Sequence, residues 1–553
     1  MASFTKRLLS TRRASALATG SLLAAIGAGA LPVAASANSS QVAIIQDGTA
    51  TSDPAAGFGE MRALGATTVR IFLPWSAIAP GYSSAKKPRF NATDPGAYPA
   101  SHWSVYDNAV RQAVADHMTI DLTVTGGAPV WAEGAGIPRA DRTNIAFAWK
   151  PSAAEYGQFF TAVGKRYSGS YTPRGASSPL PRVHFWAIYN EPNFGQDLGP
   201  QAVNGSRTAY APMSFRNLLN AGWKALQSTG HGHDTILWGE FAAHGSTFRG
   251  PSHQFPQGIP GNYGQTKPGQ FVRYLFCVDS RYRKLLGNAA TAVGCPTTKS
   301  AARGFRRANP ALFSASGVSV HPYATTASPI TDGRSDPDFA TFPNLGTFGA
   351  GLDHAASAYG AHPHFALYST EYGYITNPPH VRGGYPSEAQ AAAWINLAEY
   401  LSYKNPRVKS YMQYLLKDPP PAARPYDGFA SGLETYTGVH KATYDAYRMP
   451  VYMPRTSFSR RQSVEVWGAA RPAPFANIDG FTAAKVLIQL KRGGTWTTVA
   501  STTTGNGGYF DVHVTFPASG SVRLQWSYPN ASLLPAADQG RTIHSRTFSV
   551  NVH

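Results

Sequence analysis

Eight short apolar runs, separated by longer stretches with helical periodicity, constrain the fold of this chain more than any other feature. The runs lie at 42–46, 67–72, 118–124, 182–188, 234–239, 316–321, 364–370 and 409–416. Helical patterns lie between them, at 103–116, 153–167, 213–228, 347–359 and 387–403. Short strands that alternate with helices are typical of a parallel sheet. Eight such units in about 400 residues predict an α/β fold, a (β/α)8 TIM barrel, over residues 38–450.

A doubly wound open sheet is the alternative fold. It would place a glycine-rich phosphate-binding loop after the first strand, and the residues there, QDGTATSDP at 46–54, do not form one. The closed barrel is therefore favoured. The longest insertions all follow strands, so we expect them at the C-terminal rim of the barrel, where they would shape a cleft. They lie at 73–101, 126–150, 241–295 and 322–345.

The pattern of the sequence changes after Pro450. Short alternating runs such as VEVWGAA, AKVLIQLK and YFDVHVTF follow one another, separated by Gly, Asn, Pro and Ser turns with no helical pattern between them. This is typical of antiparallel strands. Residues 455–553 are therefore predicted to form a small C-terminal all-β sandwich, similar to immunoglobulin or fibronectin domains. Its role stays open between a carbohydrate-binding or wall-attachment module and a packing appendage.

The N-terminus has the features of an export signal. An uncharged stretch at 14–37 follows a cationic segment and ends in Ala-Ser-Ala, a suitable cleavage site. The cations are Lys6, Arg7, Arg12 and Arg13. We therefore expect a signal peptide at 1–37 and a secreted protein, and the Ser-Thr-Arg-Arg run at 10–13 resembles twin-arginine signals. A retained membrane anchor is the alternative, which the Gly, Ala, Ser and Pro content disfavours.

The charge and the cysteines narrow the range of partners. The formal net charge is +19, but the cations are scattered, as at Arg303, Arg306 and Arg307, so no nucleic-acid partner is expected. Attraction to an acidic polysaccharide or an anionic cell wall stays open.

Cys277 and Cys295 are the only cysteines, and in an exported protein they predict one disulfide. A zinc site would need more ligands at motif spacing. We expect neither a metal nor an organic cofactor.

Two glutamates stand directly after apolar runs that read as buried strands. The VHFWAIY run ends before Asn190 and Glu191, and the HFALYST run ends before Glu371. Because burying an unpaired charge is expensive, the placement suggests two carboxyl groups that converge at the rim of the barrel. Paired carboxyl groups are what glycosidic bond hydrolysis requires. The alternative is that each glutamate caps a helix N-terminus, where negative charge is mildly favoured.

Three strand-end motifs resemble those of glycoside hydrolase clan A, with the closest similarity to family 39 and family 5-like enzymes. The motifs are Asn190-Glu191-Pro192, His321-Pro322-Tyr323 and Thr370-Glu371-Tyr372-Gly373. The segments 103–132, 210–226 and 429–447 also look like parts of such enzymes, so the resemblance covers residues 40–450. It implies a retaining (β/α)8-barrel glycosidase that cleaves the O-glycosidic bonds of a polysaccharide or oligosaccharide by double displacement.

The resemblance also implies roles for single residues. Glu191 would be the general acid/base, with a raised pKa, and Glu371 the nucleophile that forms a covalent glycosyl intermediate. Asn190 would hydrogen-bond the sugar 2-hydroxyl. Its alternative role is to satisfy backbone groups at a turn. Arg70, near the end of the second strand, would hold Glu371 ionised, or else form a rim salt bridge.

Four further residues are candidates for the sugar site. Tyr323 matches the clan tyrosine that donates to the nucleophile, and His321 matches the polar ring beside it, although a strand-end histidine is often structural. Trp131 and Trp75 are candidates for stacking on a sugar, because flat ring faces suit the C–H faces of pyranoses. Trp131 is the better candidate because it lies on the loop after the third strand.

Two departures from the clan pattern limit what the resemblance implies. Thr-Gly-Gly-Ala at 125–128 stands where family 5 enzymes usually have a histidine, and Met412-Gln413-Tyr414 stand where many clan members have a tryptophan. Both affect the subsite beside the scissile bond, so no sugar specificity is implied. Two other functions stay open. One is a non-catalytic carbohydrate-binding protein on a glycosidase-like barrel, and the other is a wall-associated structural protein.

Overall fold

The structure is a computed structural model in which Ala37–His553 form one compact unit. It describes residues 38–137, 147–202, 209–245, 263–421, 428–478, 480 and 484–553. The predicted signal peptide, at 1–37, lies outside the described residues. Among the described helices none is long and apolar enough to cross a bilayer.

Eight parallel strands form the barrel, and each overlaps one of the predicted apolar runs. They are β1 (Val42–Gln46), β2 (Thr68–Pro74), β3 (Thr119–Thr125), β4 (Phe185–Ile188), β5 (Thr235–Ala242), β6 (Gly317–His321), β7 (Leu367–Ser369) and β8 (Ser410–Tyr414). Sequential strands are neighbours, and β1 also pairs with β8. The ring closes where the Lys409 N–H donates to the Leu367 carbonyl (2.8 Å) and the Ser410 hydroxyl donates to the Ser369 carbonyl (2.9 Å). The predicted TIM barrel is confirmed.

The helices lie between the strands, as predicted. They are α1 (Thr49–Ser52), α2 (Pro54–Ala63), α3 (Trp75–Ile78), α4 (Ala100–Ala115), α5 (Ala153–Arg166), α6 (Ala211–Ser228), α7 (Pro268–Leu275), α8 (Gly287–Thr291), α9 (Lys299–Arg303), α10 (Phe305–Ala308), α11 (Ala311–Ser314), α12 (Leu345–Ser357), α13 (Glu388–Lys404) and α14 (Ala442–Arg448). Short 3-10 turns lie at 95–97, 130–132 and 342–344. Local chemistry sets several boundaries. The Ser387 side chain accepts the Gln390 N–H at the start of α13 (3.2 Å), which satisfies one of the free backbone donors there.

The loops between β5 and β6 carry a disulfide between Cys277 and Cys295, as predicted. Cys277 lies just beyond α7 and Cys295 follows α8, so the bond joins two parts of this long insertion. Arg216 from α6 packs beneath it, and its guanidinium donates to the carbonyls of Leu275 (3.1 Å) and Gly294 (2.6 Å). The disulfide and the arginine therefore anchor the insertion to the barrel.

The C-terminal region is an all-β sandwich, as predicted. Its strands are β9 (Val451–Tyr452), β10 (Ser457–Phe458), β11 (Ser463–Ala469), β12 (Lys485–Arg492), β13 (Thr495–Thr503), β14 (Tyr509–Thr515), β15 (Gly520–Ser527), β16 (Thr542–His544) and β17 (Phe548–Val552). One sheet has the order β10-β17-β15-β12-β13 with β16 beside β15, and the other has the order β14-β11-β9. A short helix, α15 (Ala473–Ile478), was not predicted because its six residues are too few to show a period.

A buried polar cluster joins the sandwich to the barrel. Glu399 of α13 accepts hydrogen bonds from the Arg471 guanidinium (2.5 Å) and the Tyr509 hydroxyl (2.7 Å), and all three residues are buried. Asn396, one helical turn earlier, accepts from the Arg546 guanidinium (2.8 Å). Rings from both parts pack beside this cluster, since Trp467 of β11 contacts Tyr403 of α13 (5.7 Å between ring centroids). The barrel and the sandwich therefore share one interior.

This interface predicts that Arg471→Met destabilises the whole protein. The substitution leaves the Glu399 carboxylate buried without its partner, and breaking a buried ion pair in this way costs about 3–5 kcal/mol. Thermal unfolding measures the loss, with the exposed Arg460→Met as the matched control. The double variant Arg471→Met/Glu399→Leu, which removes both charges, is expected to recover part of the loss. Equal melting temperatures for Arg471→Met and Arg460→Met would contradict the assignment.

Candidate active site

The two predicted glutamates meet at the C-terminal rim of the barrel. Glu191 follows β4 and Glu371 follows β7, and these strands approach the same mouth because all eight strands are parallel. One oxygen of each carboxylate and one ring nitrogen of His321 lie within 4.8 Å of one another. The sequence prediction thus placed together residues that are 180 positions apart.

Glu371 is held by two donors that the sequence analysis had assigned to it. The Arg70 guanidinium donates to Oε1 (2.6 Å), and the Tyr323 hydroxyl donates to Oε2 (3.1 Å). His321 Nδ1 lies 3.6 Å from the same Oε2. A carboxylate that accepts charge-assisted and hydroxyl hydrogen bonds on its two oxygens is fixed in orientation.

Arg70 is fully buried and serves as the hub of the site. Its partners come from three barrel strands, β1, β3 and β5, and from the segments that follow β4 and β7. They are Gln46 (2.7 Å), Thr123 (3.0 Å), Asn190 (3.0 Å), Glu240 (2.8 Å) and Glu371 (2.6 Å). Burial works against the charge, but the surrounding carboxylates outweigh it and hold the pKa of Arg70 above its ordinary value. The hydrogen bond from Arg70 to Glu371, which the sequence analysis predicted, is therefore one of five that Arg70 donates to side chains.

Glu240, near the end of β5, is a site residue that the sequence analysis missed. Its Oε2 accepts hydrogen bonds from Arg70 (2.8 Å), from His321 Nε2 (2.7 Å) and from the Thr370 hydroxyl (2.6 Å). Burial alone would raise the pKa of this carboxyl, but the Arg70 charge and the His321 hydrogen bond lower it to about 2. Glu240 is therefore a permanent anion beneath the two rim glutamates.

His321 connects Glu240 to Glu191. Its Nδ1 lies 2.8 Å from Glu191 Oε1 and its Nε2 lies 2.7 Å from Glu240 Oε2, and the ring is fully buried. Burial lowers the pKa of the imidazole, yet the charge of Glu371 and the hydrogen bonds to Glu191 and Glu240 raise it to about 10. At neutral pH the ring is an imidazolium that donates from both nitrogens.

Glu191 has the opposite pKa shift to Glu240. Burial raises the pKa of the Glu191 carboxyl above its ordinary value, and the charge of Glu371 adds to the increase, while the His321 contacts partly offset it. The backbone of both glutamates is in the left-handed region, with φ of 36° at Glu191 and 47° at Glu240. The Glu191 N–H donates to the Glu240 carbonyl (3.1 Å) and the Glu240 N–H to the Ser319 hydroxyl (2.9 Å), which stabilise these uncommon conformations.

Asn190 is oriented from both sides of its amide. Its Oδ1 accepts from Arg70 (3.0 Å) and its Nδ2 donates to Asp197 Oδ1 (3.2 Å). The amide nitrogen carries a second N–H, for which the described residues provide no acceptor. Burial and the charge of Glu191 raise the pKa of the Asp197 carboxyl well above its ordinary value. Asp197 was not predicted, because it lies in an irregular segment with no strand-end signal.

An aromatic group lies beside Glu371, at the end of β8, where the sequence departs from the clan A pattern. The rings of Tyr323, Tyr414 and Phe429 contact one another, with centroids 5.4 to 6.4 Å apart. Phe429 is 37% exposed. This cluster offers ring surface next to the Glu371 carboxylate. The sequence analysis had assigned no aromatic residue to this position at the end of β8.

The other departure has a steric cause. A side chain at Gly126 would place its Cβ 2.4 Å from the Tyr189 hydroxyl oxygen, so a histidine has no room there. That hydroxyl donates to the Asp197 carbonyl (2.8 Å) and is fixed in place. Tyr189 therefore excludes a side chain at position 126.

The structure does not support the prediction that Trp75 stacks on a sugar. Trp75 is 1% exposed and lies face to face with Phe159 (5.8 Å between centroids), because it begins α3 and turns into the core. Trp131 is half-buried, and its ring nitrogen donates to the Pro80 carbonyl (3.3 Å). Lys87 Nζ lies 5.3 Å from the Trp131 ring centroid, so Trp131 packs among loop residues, and no described contact joins it to the glutamates.

Two features of the site concern charge. Asp121 of β3 is fully buried next to Arg70, and burial together with the Glu240 charge raises the pKa of its carboxyl to about 8, so it is mostly protonated at neutral pH.

One atom each from Glu191, His321 and Glu371 lie close enough to ligate a cation. Arg70 and the imidazolium already neutralise these carboxylates, so the arrangement suits proton transfer better than metal binding.

Comparisons with known proteins find similarity at the level of structure alone. No family model and no curated protein matches the sequence. A glucosidase from Croceicoccus marinus shares 12% identity, covers 93% of this chain and 94% of its own, and has a TM-score of 0.45. A family 39 glycoside hydrolase from Bacteroides cellulosilyticus shares 13%, with 93% and 82% coverage and a TM-score of 0.45. A family 1 β-glucosidase from Thermotoga maritima shares 14%, with 70% and 83% coverage and a TM-score of 0.40. Such low values assign no activity to this chain.

The Glu240–His321 contact predicts a pH dependence of stability. Because the pKa of His321 in the folded protein lies above its unfolded value of 6.5, the stabilisation is complete below pH 6.5 and is lost as the pH rises through about 10. Glu240→Gln removes an anion that raises this pKa, so its melting temperature should fall less across that window than the wild-type value. Glu155→Gln, at a partly exposed carboxylate, is the control. Identical pH dependence in Glu240→Gln and the wild type would contradict the imidazolium assignment.

Proposed function

We propose that this protein is a secreted retaining glycoside hydrolase that cleaves the O-glycosidic bonds of a polysaccharide or oligosaccharide by double displacement. One observation carries the proposal. Two carboxyl groups lie within 4.8 Å of each other, one held by a cation and a hydroxyl and the other with a raised pKa. Retaining glycosidases need carboxyl groups about 5–5.5 Å apart, whereas inverting enzymes keep about 6.5–9.5 Å for a water molecule.

In the first step Glu371 attacks the anomeric carbon. Its oxygen forms a covalent bond to the sugar while the bond to the leaving oxygen breaks, and protonated Glu191 gives its proton to that oxygen. Arg70 and Tyr323 hold the Glu371 carboxylate in one orientation, which reduces the entropy lost on reaching the transition state. The remaining N–H of Asn190 is suited to the sugar 2-hydroxyl, a contact that strengthens as positive charge develops.

In the second step Glu191 acts as a base. Glu371 has lost its charge in the covalent intermediate, and that charge is one cause of the raised pKa of Glu191. The pKa of Glu191 therefore falls, so the carboxylate can take a proton from the water that attacks the anomeric carbon. Hydrolysis restores the Glu371 carboxylate and with it the raised pKa of Glu191. The same contacts thus support both roles of Glu191.

Export completes the proposal, because a hydrolase of polymers acts where the polymers are. The cationic segment and the uncharged stretch before residue 38 are the features that support it. Processing is checked by N-terminal sequencing of the protein from the culture medium. A first residue near 38 is expected, and a product that keeps residues 1–37 and stays with the cells would contradict export.

The catalytic assignment predicts that Glu371→Ala and Glu191→Ala lose activity without losing their fold. We expect kcat/KM on a chromogenic glycoside to fall at least about 100-fold in each variant, because each lacks one of the two required carboxyl groups. Azide should partly restore Glu191→Ala on substrates with good leaving groups, because a small anion needs no general base in the second step. Glu155→Ala is the control.

Near-normal turnover in either variant would contradict the assigned roles. Wild-type protein that binds sugars but hydrolyses none of a broad glycoside panel would instead support the non-catalytic carbohydrate-binding alternative. Circular dichroism and the melting temperature confirm that each variant is folded.

A further inference from the structure

The six-stranded sheet of the sandwich carries no acidic residue. All of its strands, β10, β12, β13, β15, β16 and β17, are described, and none contains Asp or Glu. Its cations are Lys485, Lys491, Arg492 and Arg523, of which only Arg523 is partly buried and the others are exposed. A sheet with cations and no anions has a one-signed surface field, which attracts ligands of opposite charge.

The cations and one tryptophan share the outer face of this sheet. On β12, Val486, Ile488 and Leu490 are buried, so the alternate positions point outward. In the register, Lys491 lies opposite Trp496 on β13, and Gln489 lies opposite Arg523 on β15. Lys491, Trp496 and Arg523 therefore lie close together on one outward surface, and the Gln489 side chain beside them is buried.

The contacts within this group are ordered. The Arg523 guanidinium lies 4.1 Å from the Trp496 ring centroid, and its Nε donates to Gln489 Oε1 (2.8 Å). Lys491 Nζ lies 5.9 Å from the same ring. Stacking on a ring and bonding to an amide fix the guanidinium plane, so less conformational entropy is lost when it binds an anion. Trp496 is only half-buried and keeps ring surface exposed.

The three acids of the sandwich that the structure describes are engaged elsewhere. Glu465 of β11 and Asp511 of β14 belong to the other sheet, and both bind Lys404 of the barrel (3.2 Å each). Asp538, in the loop before β16, pairs with Arg541 (3.1 Å). None of these three acids pairs with Lys491 or Arg523, so both charges are available for a ligand.

We propose that the outer face of β12, β13 and β15 binds an acidic polysaccharide that carries uronate carboxylates. The guanidinium and ammonium groups match carboxylates, and the indole face suits the C–H face of a sugar. Because Lys491, Trp496 and Arg523 are spread across three neighbouring strands, the face fits an extended chain better than a small molecule. The site lies outside the barrel and does not depend on the proposed catalytic function.

The test measures binding of the full-length protein to polygalacturonate, by affinity electrophoresis at several salt concentrations. We expect binding that weakens as salt rises, because screening reduces charge–charge attraction. Lys491→Gln/Arg523→Gln should weaken it at least about tenfold, and Trp496→Ala should weaken it as well. The matched control is Arg303→Gln/Arg307→Gln, which removes the same charge from exposed positions on the barrel. Turnover of a small glycoside should be unchanged in all of these variants.

Four outcomes would overturn the proposal. Equal weakening in Arg303→Gln/Arg307→Gln would mean that overall charge is responsible. Equal binding of a neutral galactan would remove the role of the carboxylates, and equal binding of polyglutamate would remove the role of the sugar. A dimer in sedimentation that Trp496→Ala disrupts would show that a second copy covers this face. The melting temperature of each variant confirms that loss of binding is not loss of fold.

Discussion

The active site depends on one buried cation. Taking the Arg70 guanidinium out of water is costly, and the cost is offset only where all of its donors have partners and its charge has counter-ions. Glu371 and Glu240 supply the charge, while Gln46, Thr123 and Asn190 take further donors. Because these partners come from different strands, the barrel has to close in one register for Arg70 to be satisfied. The same contacts that stabilise the arginine position the catalytic groups.

Local environment separates the glutamates of the site into different roles. Glu191 and Glu240 are both buried near His321, yet the pKa of Glu191 is raised and that of Glu240 is lowered to about 2. The difference follows from Arg70, which donates directly to Glu240 and is connected to Glu191 only through Glu240 and His321. The carboxyl nearest the cation stays ionised, and the one farther away can carry the proton that the leaving group needs.

Much of this arrangement could be predicted from the sequence because it depends on local pattern. The eight strands and the positions of Glu191 and Glu371 follow from apolar runs that end in polar residues, whereas the roles of Arg70 and Tyr323 were implied by the resemblance to clan A. Glu240 had the same signal, since DTILWG at 234–239 ends directly before it, but no familiar motif surrounds it. Its bonds to Arg70 and His321 span 170 and 81 positions, and no local pattern encodes such distances.

Side-chain burial was the harder quantity to predict. Trp75 follows a strand as the site residues do, but the chain turns at once into α3 and carries the ring inward. The position of Phe429 beside Tyr323 and Tyr414 depends on how a long loop folds back over the rim. The shared interior of barrel and sandwich likewise has no sequence signal, since Glu399 and Arg471 look like ordinary surface charges until their partners are known.

The most direct test is to trap the covalent intermediate and identify its residue. The protein is incubated with a panel of activated 2-deoxy-2-fluoro glycosides, which form the glycosyl intermediate but hydrolyse slowly, and is then digested and sequenced by mass spectrometry. The account predicts one added sugar on the peptide that contains Glu371, and none when Glu371 is replaced by Gln. A sugar on Glu191 or Glu240, or hydrolysis of natural glycosides with inversion of the anomeric configuration, would contradict it.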